Sequence, residues 1–118
     1  LYLNFSMMRF WDRDLFNYSK SNDHLLIPGI NTLNDLKEAI SMNCTVIKIY
    51  PIEKRDKSIQ INKFNDNATF IAAGGLSISD IQEYCSLGFK AIVIGTKGFD
   101  GEIFDPKLLK WISKSNIK

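Results

Sequence analysis

Lys48 stands inside Val46-Ile47-Lys48-Ile49-Tyr50, a run otherwise built from large apolar side chains. In an extended strand, alternation puts Ile47 and Ile49 on one face and Lys48, between Val46 and Tyr50, on the other. If the sheet is covered on both faces, an ammonium group there loses its hydration, at a cost of several kcal/mol unless the amine is neutral or paired. A neutral buried amine is a nucleophile, which is what a Schiff-base lysine needs to attack a ketone near neutral pH. The same side chain can instead snorkel to water at the sheet end, two residues away.

Two glycine turns offer a second kind of chemistry. Ala72-Ala73-Gly74-Gly75-Leu76 and Gly95-Thr96-Lys97-Gly98 each close an apolar run with small residues. Backbone amides free of side chains can cradle a phosphate, to which Thr96 adds a hydroxyl and Lys97 a cation. In (β/α) barrels the loops after the last two strands commonly form a phosphate site, the place Gly74, Gly75 and Gly95 would hold if Ala91–Gly95 is the final strand. Tight β–α turns that need glycine on steric grounds alone give the same pattern. Glu53, three residues past the Lys48 strand, is a possible base or one more solvated charge in Glu53-Lys54-Arg55-Asp56-Lys57. His24 is the only histidine, it reads as a loop or cap residue, and no metal-ligand spacing occurs. Trp11 and Trp111 read as packing residues, since no basic cluster accompanies them.

The elements that must position these residues follow from spacing. Apolar segments bounded by Pro, Gly or Asn lie at Leu1–Phe5, Leu25–Pro28, Thr45–Tyr50, Thr69–Ala73 and Ala91–Gly95. Their starts are 24, 20, 24 and 22 residues apart, room each time for a strand, two loops and a helix, which predicts parallel strands with helical crossovers. Thr32 and Ser77 open capped helices, with Leu33, Leu36, Ala39 and Ile40 striping the first and Ile78, Ile81, Tyr84 and Cys85 the second. Asn43 and Gly88 end them. Asp105-Pro106 places a cap and an N1 proline before Leu108, Leu109 and Ile112. The crossover between Tyr50 and Thr69 carries no clean stripe and is assigned as a helix by its place in the repeat.

The chain has 118 residues, 45% of them hydrophobic and 24% charged, with a net charge of +2. That composition predicts one α/β domain over residues 1–118, with no nucleic-acid footprint and no membrane span. Cys44 and Cys85 lie in apolar periodic segments without a CxxC pattern, so both are expected as buried thiols of a reducing, cytoplasmic setting. The first residues do not follow the basic-then-apolar plan of a signal peptide.

In order along the chain, Ile27-Pro28-Gly29-Ile30-Asn31-Thr32, Val46-Ile47-Lys48-Ile49-Tyr50-Pro51 and Ala73-Gly74-Gly75-Leu76-Ser77 resemble the 2-keto-3-deoxy-6-phosphogluconate (KDPG) and 4-hydroxy-2-oxoglutarate aldolases. That family shows IPG(V/I)xT, a K-F-F-P-like strand and TGG(V/I), and the resemblance runs from about Phe5 to Gly98. It implies a (β/α)8 TIM barrel of which this chain covers about the last five β/α units. It also implies a class I aldolase with Lys48 as the Schiff-base lysine, Gly74, Gly75 and Gly95 on the phosphate side, no cofactor, and a 2-oxo acid substrate cleaved to pyruvate and an aldehyde. The sequence departs from the family at several points. The general-base glutamate of an E-x-T-x-R-like early strand has no counterpart, Ser6-Met7 stands for Ser-Pro, Ala73 for threonine and Thr96-Lys97 for Gly-Ser. The glycine pair that follows the lysine strand in the family is absent from Lys54-Arg55-Asp56-Lys57.

Two other readings use the same elements. Five parallel strands also suit a flavodoxin-like open sheet, although Ser6-Met7-Met8 and Tyr50-Pro51 lack the acidic residues of a receiver domain. A non-catalytic barrel remnant would bind a phosphorylated metabolite or a partner chain. Five barrel strands leave two sheet edges, so preceding sequence or a homo-oligomer is expected to supply the missing walls.

Overall fold

A computed structural model of the chain describes residues 3–115. It opens with β1 (Phe5–Met7), α1 (Arg13–Ser21), β2 (Leu25–Ile27), β3 (Gly29–Ile30), α2 (Leu33–Ser41) and β4 (Val46–Ile49). After a long irregular crossover come β5 (Thr69–Ala73), α3 (Ile81–Ser86), β6 (Ala91–Val93), a hairpin of β7 (Phe99–Asp100) and β8 (Ile103–Phe104), and α4 (Pro106–Ser115).

Pro28 separates β2 from β3 within one extended segment because it brings no amide hydrogen to the ladder. Its carbonyl still accepts from the Lys48 amide at 3.0 Å, while the Ile27 carbonyl accepts from Met8 at 2.8 Å. β2 therefore pairs with β1 and β3 pairs with β4, and β5 and β6 follow, all in parallel. The spatial order repeats the chain order. A flavodoxin-like sheet would reverse direction after its first pair of strands, so the doubly wound alternative is set aside: this is a singly wound parallel array, with neighbours joined in sequence.

Alternation divides the array into two unlike faces. Ile47, Ile49, Phe70 and Ala72 are fully buried and Leu26 and Ile30 nearly so, against Phe16 of α1 and Leu36 and Ala39 of α2. The opposite face carries Phe5, Met7, Leu25 and Val93, between 38% and 48% exposed, so it is open where the helix side is closed. The Cα radius of gyration is 15.3 Å, above the roughly 13 Å of a compact 100-residue domain.

Helix starts follow the local signals. The Thr32 hydroxyl accepts from Asp35 N–H at 3.2 Å, and Asp12 caps α1 through Leu15 N–H at 3.0 Å. Ser77 N–H donates to the Asp80 carboxylate at 2.8 Å in a capping box, from which a 3-10 turn, Ile78–Asp80, leads into α3. Gly88 ends that helix at φ +108° and Asn43 follows α2 at φ +62°.

Several expectations are corrected. The Tyr50–Thr69 crossover holds no α-helix, only 3-10 turns at Ile52–Lys54 and Ile61–Lys63. Ile52, Ile59 and Ile61 each reach the core from irregular backbone, and the loop is tied to the turn between β3 and α2 by Asp56 N–H donating to Asn31 C=O at 2.7 Å. The first strand lies at Phe5–Met7 rather than Leu1–Phe5, of which Leu1 and Tyr2 fall outside the described residues. The last parallel strand ends at Val93, before Gly95. Trp111, Leu109 and Ile112 on α4 are exposed rather than packed. Trp11 does pack: it is half-buried, its indole lies 5.4 Å from the Phe16 ring, and its Nε1 donates to Glu38 at 2.6 Å.

Cys44 is buried as expected, but Cys85 is exposed, on a six-residue α3 none of whose residues is buried. Burial pushes the Cys44 thiol up to about 11, so at pH 8 only about one Cys44 thiol in a thousand is ionised. A maleimide is therefore expected to label Cys85 first in the folded protein, and Cys44 only on unfolding. Peptide mapping that found both labelled at similar native rates would contradict this burial.

Candidate active site at the carboxyl ends of the strands

Lys48 sits in the middle of the array, in register with Gly29 of β3 and Ile71 of β5, and is 8% exposed. It lies on the face opposite Ile47 and Ile49, as alternation requires. Burial pulls its amine below the ordinary lysine range, and the nearby positive charge of Arg9 adds to that. Both effects act the same way, disfavouring the ammonium. The Tyr50 ring, with its centroid 5.2 Å from Nζ, is a contact that favours the charged form, but such contacts contribute only about 0.5–2 kcal/mol. No carboxylate offsets the burial: among the described residues the one salt bridge joins the exposed Arg13 and Asp14 at 3.9 Å.

Arg9 comes to Lys48 because residue 29 has no side chain. A Cβ on Gly29 would meet Arg9 C and O at 2.8 Å and Met8 O at 2.9 Å, so the chain after β1 crosses directly over β3. Gly29 is the register partner of Lys48, and that crossing sets Arg9 beside the amine. Gly74 is held in a similar way from the other side. It takes φ +113°, and a Cβ there would approach Pro51 Cα and Ile52 N at 3.2 Å, which locks the β5 turn onto the end of the Lys48 strand.

Lys48, Arg9 and Gly74 line one open cavity of about 330 Å³ at the carboxyl ends of β1, β4, β5 and β6. Lys48, Gly74, Gly75 and Gly95, all expected from the sequence, meet there, joined by Arg9, Tyr50 and Met7. Thr96 and Lys97 do not line it; they form the exposed 3-10 turn Thr96–Gly98 immediately after Gly95. Glu53 is exposed in the Ile52–Lys54 turn and is not part of the lining. His24 lies before β2, hydrogen-bonded through Nε2 to Ser6 Oγ at 2.8 Å, in the loop role read for it.

Sequence reasoning missed Arg9 and Tyr50. Tyr50 was legible as the next residue on the Lys48 face, whereas nothing local tells which chain segment will cross Gly29. A larger cavity, about 440 Å³, lies between the crossover loop and the end of α3, lined by Arg55, Ile59, Gln60, Ile61, Leu87 and Phe89 among others. It holds no nucleophile beside a perturbed amine, so the smaller cavity is the better candidate for chemistry. Among the described residues no three His, Cys, Asp or Glu side chains gather to hold a metal. No described helix is long and apolar enough to cross a membrane.

The family model for KDPG and KHG aldolase matches residues 5–114, nearly the whole chain. The chain belongs to that family. Membership makes it an aldolase-type lyase at the level of the family, acting on small molecules, and agrees with the motifs around Gly29, Lys48 and Gly74. No curated protein matches the chain. In this aldolase-family chain the lysine strand, the glycine turn after β5 and Gly95 after β6 converge on one cavity, although they are spread over almost fifty residues of sequence.

Proposed function

We propose that this chain is a class I aldolase that forms a Schiff base through Lys48, with the described strands making up the later part of a (β/α)8 barrel. The observation that carries this reading is a buried, charge-disfavoured amine opening into a cavity with a second cation and no paired acid. Lys48 attacks the 2-oxo carbon of the substrate, and loss of water leaves an iminium. That iminium accepts the electron pair released when C3–C4 breaks; pyruvate and an aldehyde leave.

Arg9 supports the reading as a receptor for the carboxylate of a 2-oxo acid, since a guanidinium fork suits that group. The substrate is of the 2-keto-3-deoxy-6-phosphogluconate or 4-hydroxy-2-oxoglutarate type. A phosphate at its far end would meet the Gly74, Gly75 and Gly95 turns, with the Thr96 hydroxyl and the Lys97 charge at their rim. Further strands or a second copy of the chain would pair with the β1 and β6 edges and close the barrel over the exposed face bearing Phe5, Met7, Leu25 and Val93.

Borohydride reduction in the presence of pyruvate tests the reading. The expected product is a protein heavier by one reduced pyruvate, with the label mapped to the peptide carrying Lys48. An unlabelled, folded protein at saturating pyruvate would instead favour the second reading: a barrel remnant that binds a phosphorylated metabolite or a partner chain without catalysis. What speaks for the remnant is the lack of any carboxylate or imidazole among the residues lining the cavity.

A further inference from the structure

We propose that the cavity between the crossover loop and the end of α3 is a binding site for a small organic acid, a single carboxylate on an apolar body. The site exists because the strand-and-helix repeat is interrupted there. Between β4 and β5 the chain forms two 3-10 turns in place of an α-helix, and the irregular backbone leaves a cavity of about 440 Å³ beside α3. That volume falls in the range of small-molecule sites, about 300–1,000 Å³. It shares no lining residue with the Lys48 cavity. Its walls are the connections before and after β5, in contrast to the β1 and β6 edges where the array is open.

Both walls are anchored. Ile59 and Ile61 on the loop and Phe89 after α3 are 7%, 6% and 5% exposed, so each connection is pinned to the core. Gly88 lets the two connections meet. It takes φ +108°, and a Cβ there would stand 3.1 Å from Asn65 Nδ2 and 3.6 Å from Ile61 Cδ1.

The lining sets the chemistry of the ligand. Arg55 is its one charged residue, half-buried, and among the described residues it forms no salt bridge. The adjacent acid is engaged elsewhere: the Asp56 carboxylate accepts from Ser58 N–H at 2.9 Å, from the Ser58 hydroxyl at 2.7 Å and from Leu33 N–H at 3.4 Å. Arg55 Nη1 donates to Ile52 C=O at 2.8 Å, which holds the guanidinium on the loop and leaves Nε and Nη2 without a protein partner among the described residues. A cation held partly out of water with no counter-ion favours an anion, and the free N–H fork suits a carboxylate. One positive charge matches a monoanion better than a phosphate dianion. Leu87, 45% exposed beside the buried Ile59, Ile61 and Phe89, offers the apolar body a surface to cover. Gln60, Asn62 and Ser86 complete a polar rim.

The test is a ¹H–¹⁵N NMR titration of the chain with benzoate. Benzamide serves as the neutral isostere and inorganic phosphate as the anion without an apolar body. Benzoate is expected to shift the amides of Arg55, Ile61, Leu87 and Phe89 in a saturable way, with nuclear Overhauser contacts from its ring to the Leu87 methyls. Benzamide and phosphate should bind about tenfold more weakly or worse, and so should benzoate to Arg55→Met, the scale of one charge-assisted pair. The comparison of the three probes needs only the wild type, so it stands even where the variant does not fold. A smaller difference between benzoate and either control overturns the proposed ligand class. Unchanged benzoate affinity in a folded Arg55→Met protein overturns the role of Arg55. Shifts confined to Lys48, Gly74 and Gly75 would put the acid in the other cavity, and a silent spectrum at tens of millimolar benzoate would remove the site; either result overturns the proposal and leaves the Schiff-base reading untouched.

Discussion

Lys48→Met is expected to abolish the borohydride-trapped pyruvate adduct and to lower any aldol cleavage by roughly 10³-fold or more, the scale on which covalent nucleophiles matter. The substitution keeps the length and apolar stem of the side chain and removes only the amine. The protein should therefore remain folded, because the site it vacates holds no carboxylate that would be left unpaired. Stability offers a second readout. Burial and Arg9 lower the folded-state value of Lys48 below the ordinary 10.5. Between that depressed value and 10.5 the unfolded chain binds the extra proton, so wild-type stability rises with pH across this window. Below the window the desolvation penalty is present in full. Lys48→Met should be as stable as the wild type or more so at neutral pH, and should lack this part of the rise. Urea titrations at pH 7 and pH 10, run beside the trapping assay, measure both. An adduct that persisted in the Met variant would move the nucleophile to another lysine. A collapse in stability would show that the amine makes a structural contact.

The second large effect is on folding. Phe70→Ala should destabilise the protein by about 3–5 kcal/mol, the cost of removing a large aromatic side chain from a closed core. Phe70 is fully buried near the start of β5, in register with Ile47 of β4, on the face that packs against the helices. It belongs to the core that includes Leu36 and Ala39 of α2 and Phe89 after α3. Set against a total stability of about 5–15 kcal/mol, this loss removes between about a fifth and all of it. The open face should behave differently. Val93 is 38% exposed on the other side of the same array, so its truncation removes less buried surface than that of Phe70. Chemical denaturation of the two Ala variants compares the faces directly. A Phe70→Ala cost below about 1 kcal/mol would place the centre of the core elsewhere.

Both effects trace back to strands β4 and β5, and these were the parts most legible in the sequence. Period-two alternation around Lys48 placed Ile47 and Ile49 on the buried side without any knowledge of neighbours. The caps at Thr32 and Ser77 and the stops at Asn43 and Gly88 were readable for the same reason: each depends on hydrogen bonds or a positive φ within a few residues. The Gly74-Gly75 turn and Gly95 could be named as candidates because only glycine offers bare backbone at a strand end.

Sequence alone thus determined the repeating strand-and-helix pattern, the face of its strand on which Lys48 lies and the glycine turns, since local geometry and side-chain chemistry fix those. Tertiary structure decided the rest. Arg9 reaches the amine only because the chain after β1 crosses Gly29, a contact between segments about twenty residues apart. Strand order, which separates a singly wound array from a doubly wound one, depends on which edges meet, and every strand offers two. The crossover from Tyr50 to Thr69 buries Ile52, Ile59 and Ile61 without a helical period, because shape rather than repeat governs its fit under the sheet. The exposure of Cys85 and of the α4 stripe reflects what packs beside those helices, and amphipathic spacing identifies a face without naming its neighbour.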